Sequence, residues 1–148
     1  MLCRDGRAVR LTRDHKADDA DEAARVADAG GFVMRRRVCG LLAVSRAIGD
    51  HALKPYVVAA PHLRTLALRA PPLSAAGAGA AAGDAFVILA CDGVWDVLTD
   101  DDAVALVRAV APDGGDAAEA ERTAAERLVG EALRRGSTDN ITAMVVFL

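Results

Sequence analysis

The stretch Ala85-Phe86-Val87-Ile88-Leu89-Ala90-Cys91-Asp92-Gly93 decides the fold. From Ala85 to Cys91 no polar residue interrupts the apolar run, which is bounded by Gly83 on one side and Asp92-Gly93 on the other. A run of this length without alternation predicts a strand buried on both faces, the centre of the fold. An aspartate leaving such a strand is held at the rim of the sheet and partly desolvated. That suits a hard divalent cation, which takes oxygen ligands.

Working outward, Leu2-Cys3-Arg4 and Arg7-Ala8-Val9-Arg10-Leu11 flank Asp5-Gly6, the strongest local signal for a tight hairpin, and put the first residues in mid-sheet. A helix is predicted over 21–29, with Ala23, Val26 and Ala27 on one face and Gly30-Gly31 as its stop. Phe32-Val33-Met34 and Leu41-Leu42-Ala43-Val44 predict strands, with Arg35-Arg36-Arg37 a solvated turn between them and substrate steering the alternative for that basic patch. Leu63 to Leu68 alternates and predicts a strand. Pro71-Pro72 and the Ala/Gly-rich residues up to about 84 predict a surface loop that packs against nothing. Beyond the central strand, Thr99 predicts an N-cap, with acids through Asp102 and Val104, Leu106, Val107 and Val110 following. Pro112-Asp113-Gly114-Gly115 breaks that helix. A second helix is predicted over 116–135, turning Leu128, Val129, Ala132 and Leu133 inward and stopping at Gly136. The last residues, Ile141 to Leu148, predict one more buried strand.

Composition bounds the function. The chain has 148 residues, 53% of them apolar, 26% charged and only 3% aromatic, and a mean hydropathy of +0.20. This describes one ordinary domain, able to bury roughly 70% of its unfolded surface. A net charge of −3 argues against nucleic acid or an anionic membrane as the main partner. No apolar segment has the ~20 residues of a membrane span, and Met1-Leu2-Cys3-Arg4-Asp5 opens no secretory leader. Cys3, Cys39 and Cys91 are scattered without zinc-ligand spacing and read as reduced intracellular thiols. Cys91 lacks the Cys-x5-Arg loop of cysteine-based phosphatases. His15, His51 and His62 show no Ser/His/Asp order.

A second acid stands at the lip of the final strand, in Gly136-Ser137-Thr138-Asp139-Asn140-Ile141. Taken singly, each acid is also what an ordinary turn or loop cap looks like. Leu89-Ala90-Cys91-Asp92-Gly93-Val94-Trp95-Asp96-Val97, Ser45-Arg46-Ala47-Ile48-Gly49-Asp50, Asp14-His15-Lys16 and the Asp139 string together resemble the type 2C (PPM-type) metal-dependent protein serine/threonine phosphatases. The resemblance extends over essentially all 148 residues. Lys54-Pro55-Tyr56 and the alanine bias look most like plant members.

The resemblance implies an α+β fold, part of a four-layer α-β-β-α sandwich in which two packed antiparallel sheets are flanked by helices. Residues 1–148 would form its C-terminal part, with the N-terminal half missing. It implies hydrolysis of phosphoserine and phosphothreonine in proteins by a water held between two Mg2+ or Mn2+ ions. Two cations ~3.5–4 Å apart lower the pKa of such a water and neutralise charge on the leaving oxygen. Asp92 and Asp139 match two aspartates that ligate one of the metals, and Asp96 matches an acid associated with a weaker third ion. Arg46 and Asp50 match the segment beside the family's mobile flap, where a paired Arg and Asp order the backbone. Phosphoprotein substrates are implied, with no nucleic-acid or membrane partner, a cytoplasmic or nuclear location, and a monomer once completed by the N-terminal half.

Several family features have no counterpart here. They are the Asp-Gly-His-Gly stretch whose Asp bridges both ions, the N-terminal Glu, the phosphate-gripping Arg, and the Gly-Asp-Ser-Arg strand. Two carboxylates make half a site, which would bind a hard ion weakly. The rival expectation is therefore a non-catalytic remnant acting as an interaction module. Missing strands would also leave unpaired edges and an uncovered apolar face. The flap Trp of hormone co-receptor members is absent from Met34-Arg35-Arg36-Arg37-Val38. A haloacid-dehalogenase-type phosphatase needs Asp-x-Asp, which Asp92-Gly93-Val94 does not supply.

Overall fold

Asp5 and Gly6 both take positive φ, 52° and 73°, and reverse the chain in the tight turn that Asp-Gly favours. The computed structural model describes residues 1–70, 83–110 and 116–148, which fall into two units, Met1–Leu11 with Thr65–Leu148 and Thr12–Arg64.

In the first, the sheet unit, β1 (Leu2–Arg4) pairs with β2 (Arg7–Val9), placing Cys3 opposite Ala8. Its other edge pairs antiparallel with β5 (Asp84–Ala90), with a bulge between Cys3 and Arg4. β5 pairs in turn with β6 (Ala143–Phe147), and the strand order is β2-β1-β5-β6. The first strand is thus internal. Three helices follow β5: α2 (Asp92–Trp95), α3 (Asp100–Arg108) and α4 (Ala117–Arg134). Thr99 and Asp102 close a reciprocal capping box on α3, and the Asp116 side chain accepts from the Ala118 N–H at the start of α4. Each cap satisfies backbone donors that a helix start otherwise leaves bare.

These helices supply the core. Cys3, Phe86, Ile88 and Val145 from the sheet pack with Val94, Val104, Val107, Ala124, Leu128 and Ala132. Phe86 and Phe147 meet edge-on, their centroids 5.7 Å apart. Burial of each large apolar side chain contributes about 1.5–3 kcal/mol. The α4 stripe is Ala124, Leu128 and Ala132, at four-residue spacing; Leu133, expected inward, lies one position off that stripe and is exposed.

β5 is not buried on both faces. Phe86 and Ile88 pack against the helices, whereas Leu89 on the opposite face is 53% exposed. Its cross-strand partner Met144 is 59% exposed, and in β6 only Val145 is buried. The helical layer covers one side of the sheet, so both strands alternate. The alternating residues Leu63 to Leu68 form no strand, and Leu63 and Leu68 are exposed. The chain instead runs extended along Arg4 and Asp84: Arg4 donates to the Ala67 carbonyl, the Arg69 N–H donates to the Asp84 carboxylate, and the Asp84 N–H donates to the Arg69 carbonyl. Most of the expected Ala/Gly loop and the break at 112–115 lie outside the described residues.

The second, the hairpin unit, holds α1 (Ala20–Asp28), the two-residue strands β3 (Val33–Met34) and β4 (Arg37–Val38), and a 3-10 turn at His51–Leu53. Its core is Ala17, Val26, Val38 and Val57. The predicted strand at Leu41–Val44 reduces to isolated bridges, Val38 to Leu42 and Lys16 to Val44. The face of α1 also differs, since Glu22 and Val26 are buried while Ala27 is exposed. Among the described residues no helix is long and apolar enough to cross a membrane.

Candidate metal centre

Asp92 begins α2 two residues after β5 ends at Ala90, and Cys91 between them, in extended backbone, forms the N-cap. Asp139 lies in the connection between α4 and β6. The structure brings these two segments together. Cys91 N–H donates to the Thr142 carbonyl at 3.1 Å and its thiol to the Asn140 carbonyl at 3.0 Å, while Thr142 N–H returns a bond to the sulfur. Ser137 Oγ donates to the Gly93 carbonyl at 2.6 Å. At residue 93 only glycine fits, because a Cβ there would sit 2.3 Å from the Asn140 carbonyl oxygen.

The residue after one aspartate therefore touches the residue after the other. Asp92 Oδ1 accepts from the Gly93 N–H at 3.1 Å and Asp139 Oδ1 from the Asn140 N–H at 2.7 Å. Among the described residues neither carboxylate forms an ion pair with Lys or Arg. Both keep oxygen lone pairs for a hard cation. Both are exposed, not partly desolvated as the strand-end argument expects, because Gly93 and Val94 take the buried positions. Asp96 follows α2 as its C-cap, one turn from Asp92, and is exposed too. Among the described residues no group of three or more His, Cys, Asp or Glu could hold a metal ion. Carboxylate oxygens of this kind suit a hard divalent cation.

The hairpin unit holds a different charged centre, which the sequence did not reveal. Glu22 is 1% exposed and receives hydrogen bonds from Arg46, from Ser45 Oγ at 2.7 Å and from Arg25 at 3.0 Å. Arg46 thus pairs with Glu22, not with Asp50, which is exposed in left-handed backbone ahead of the 3-10 turn. Arg46 leads the interactions that hold the Glu22 carboxyl down at about 2, against an ordinary 4.5, and Ser45 and Arg25 add to it in opposition to burial. His15 Nδ1 lies 3.7 Å from Glu22. His51 and His62 are exposed.

A sheet-and-helix unit in which the loops after β5 and before β6 meet at Gly93 and Asn140 is made specific by comparison. The family described as Protein phosphatase 2C matches residues 1–141, and the chain belongs to that family. Probable protein phosphatase 2C 59 of Oryza sativa subsp. japonica is 44% identical over 149 residues, spanning 99% of this chain and 39% of the rice protein. Protein phosphatase 2C homolog 1 of Schizosaccharomyces pombe is 45% identical and spans 100% of this chain and 37% of its own length. Among solved structures, a phosphatase from a pathogenic strain of Toxoplasma gondii superposes with a TM-score of 0.76 at 33% identity, covering 99% of this chain and 44% of the other. The chain thus spans less than half the length of these relatives.

Proposed function

We propose that the chain serves metal-dependent hydrolysis of phosphoserine and phosphothreonine esters in proteins, with Asp92 and Asp139 as ligands to one of two Mg2+ or Mn2+ ions. The observation that carries this reading is the contact of Gly93 with Asn140, which sets the two aspartates on adjoining backbone. When bound, the ions would activate water and offset charge on the phosphoryl group. The chain's own part is to hold two carboxylates in place. The Ser137–Gly93 hydrogen bond and the Cys91 contacts fix the loops, and each Asp spends one oxygen on the next N–H, which orients the other. Phosphoproteins are the substrates in this reading and the completed protein is a monomer. An intracellular setting, cytoplasmic or nuclear, suits the three free thiols.

One observation favours a second reading, a non-catalytic interaction module: no third ligand joins the pair among the described residues. A Mn2+-dependent assay on a phosphothreonine peptide separates the two. Turnover by the chain, alone or after the rest of the fission yeast relative is supplied, and its loss in Asp92→Asn, supports the phosphatase. Silence in both conditions supports the module.

A further inference from the structure

Of all the serines and threonines in the chain, only Ser137 has arginine at both the second and the third position before it, in Arg134-Arg135-Gly136-Ser137. Two guanidinium groups a short, fixed distance ahead of a hydroxyl are what a serine kinase with an acidic groove reads, since each fork takes a carboxylate. The Arg134 side chain is 71% exposed and pairs with Glu131, while Arg135 pairs with Glu131 and Asp102. Exposed pairs of this kind contribute little to stability, so both arginines exchange partners at small cost. The backbone ahead of the serine is also easily opened. Gly136 ends α4 with φ of 85°, residues 137–142 form neither helix nor strand, and the last turn of a helix frays before its middle.

Ser137 is half-buried, and its hydroxyl donates to the Gly93 carbonyl at 2.6 Å. Among the described residues it is the only side-chain hydroxyl bonded across the junction of the two aspartate loops. Gly93 follows Asp92 directly, and Ser137 precedes Asp139 by two positions. A phosphoryl group on this oxygen would remove the donated hydrogen and set acceptor oxygens against an acceptor carbonyl. It would also add about −1.5 to −2 of charge to a junction that already holds two carboxylates.

We infer that Ser137 is a phosphorylation site for an arginine-directed serine kinase, and that its modification parts the Asp92 and Asp139 loops. In the transfer, the bond from the γ-phosphorus of ATP to the bridging oxygen breaks and the bond from phosphorus to Ser137 Oγ forms. ADP leaves, and the hydroxyl proton passes to the kinase's base. The parting of the loops stands on the hydrogen bonds alone, and only its effect on Mn2+ rests on the metal reading.

The full chain and its Asp92→Asn variant, which keeps the chain's own hydrolysis from hiding the product, are incubated with Mg-ATP and the catalytic subunit of cyclic-AMP-dependent protein kinase. Mass spectrometry should find one added phosphoryl group, on Ser137. Arg134→Gln should slow labelling about tenfold through loss of one charge-assisted contact, and Arg134→Lys should restore part of the rate. Both variants should melt with the parent, because the Arg134 side chain bonds to Glu131 at the surface. The N–H groups of Cys91 and Thr142 bond across the junction. Once kinase and nucleotide are removed, their hydrogen exchange should be about tenfold faster than in the unmodified chain. It should also exceed that of Ser137→Ala, which loses the bond without gaining charge. Mn2+ affinity should fall in step. Absence of label, label on Thr138 instead, a rate indifferent to Arg134→Gln, or unchanged exchange at Cys91 and Thr142 would overturn the inference. An unmodified chain that binds no Mn2+ overturns the metal reading and leaves labelling and exchange to decide this one.

Discussion

Gly93 and Asn140 are in direct backbone contact, with room between them for a hydrogen atom and not for a methyl group. Gly93→Ala must push the β5 exit away from the Asp139 loop, and overpacking of this kind costs about 1–3 kcal/mol. Chemical denaturation followed by the fluorescence of Trp95, the single tryptophan, should show that loss. A variant as stable as the parent would mean that the two segments part easily.

Metal binding offers a test of shared ligation. Asp92→Asn and Asp139→Asn should each lower Mn2+ affinity. If both carboxylates hold one ion, the double variant loses less than the two single losses combined, because either substitution alone already spoils the pair. Calorimetric titration with Mn2+ reads both effects. Strictly additive losses would place the aspartates on different ions.

Removing the buried carboxylate should unfold its surroundings. Glu22→Gln leaves Arg25 and Arg46 without their anion, and breaking a buried pair typically costs on the order of 3–5 kcal/mol. Tyr56, the single tyrosine, packs against the core of the hairpin unit and reports its unfolding, while Trp95 reports the sheet unit. The tyrosine transition should move first.

Acid should destabilise both units over a defined window. Glu22 titrates at about 2 when folded against an ordinary 4.5, and Asp84 at about 2 against 3.8, held down chiefly by Arg4. Between those values the unfolded chain binds protons that the folded chain does not, so protonation favours unfolding. The contribution is present above the ordinary values and is lost as pH falls towards 2. Melting temperatures measured from about pH 6 down to 2.5 should fall below about pH 4.5. Glu22→Gln should flatten the tyrosine-detected fall and Asp84→Asn the tryptophan-detected one.

Some of this was legible in sequence because the signals were local. Asp5-Gly6, Thr99 with Asp102, and Gly30 after α1 act on their own backbone, and the structure has the turn and the helix limits they predict. Strand identity was less legible, since it depends on what lies opposite. Leu63 to Leu68 has the alternation of a strand but no ladder partner. The turn expected at the arginines is present, but its left-handed backbone at Arg35 and Arg36 comes without the Gly or Asn that announces positive φ. The exposure of β5 depends on which faces other elements cover, and that is not written in β5. Glu22 was hidden for a related reason. A glutamate in a first turn reads as a partner for the helix dipole, while its true partners, Ser45 and Arg46, are 23 and 24 positions away. The strings around Asp92 and Asp139 mark two loops, whereas the Ser137 and Cys91 bonds that join them cross 44 and 49 positions of chain.

Leu89, Met144 and Val146 form a contiguous apolar row on the side of the sheet away from the helices. Water is a poor neighbour for such a row, and its free energy falls when two molecules press their rows together. In concentrated solution the isolated polypeptide should scatter light and bind ANS while still folded. Replacing Leu89 and Met144 with Lys and Glu should clear the solution without lowering the melting temperature.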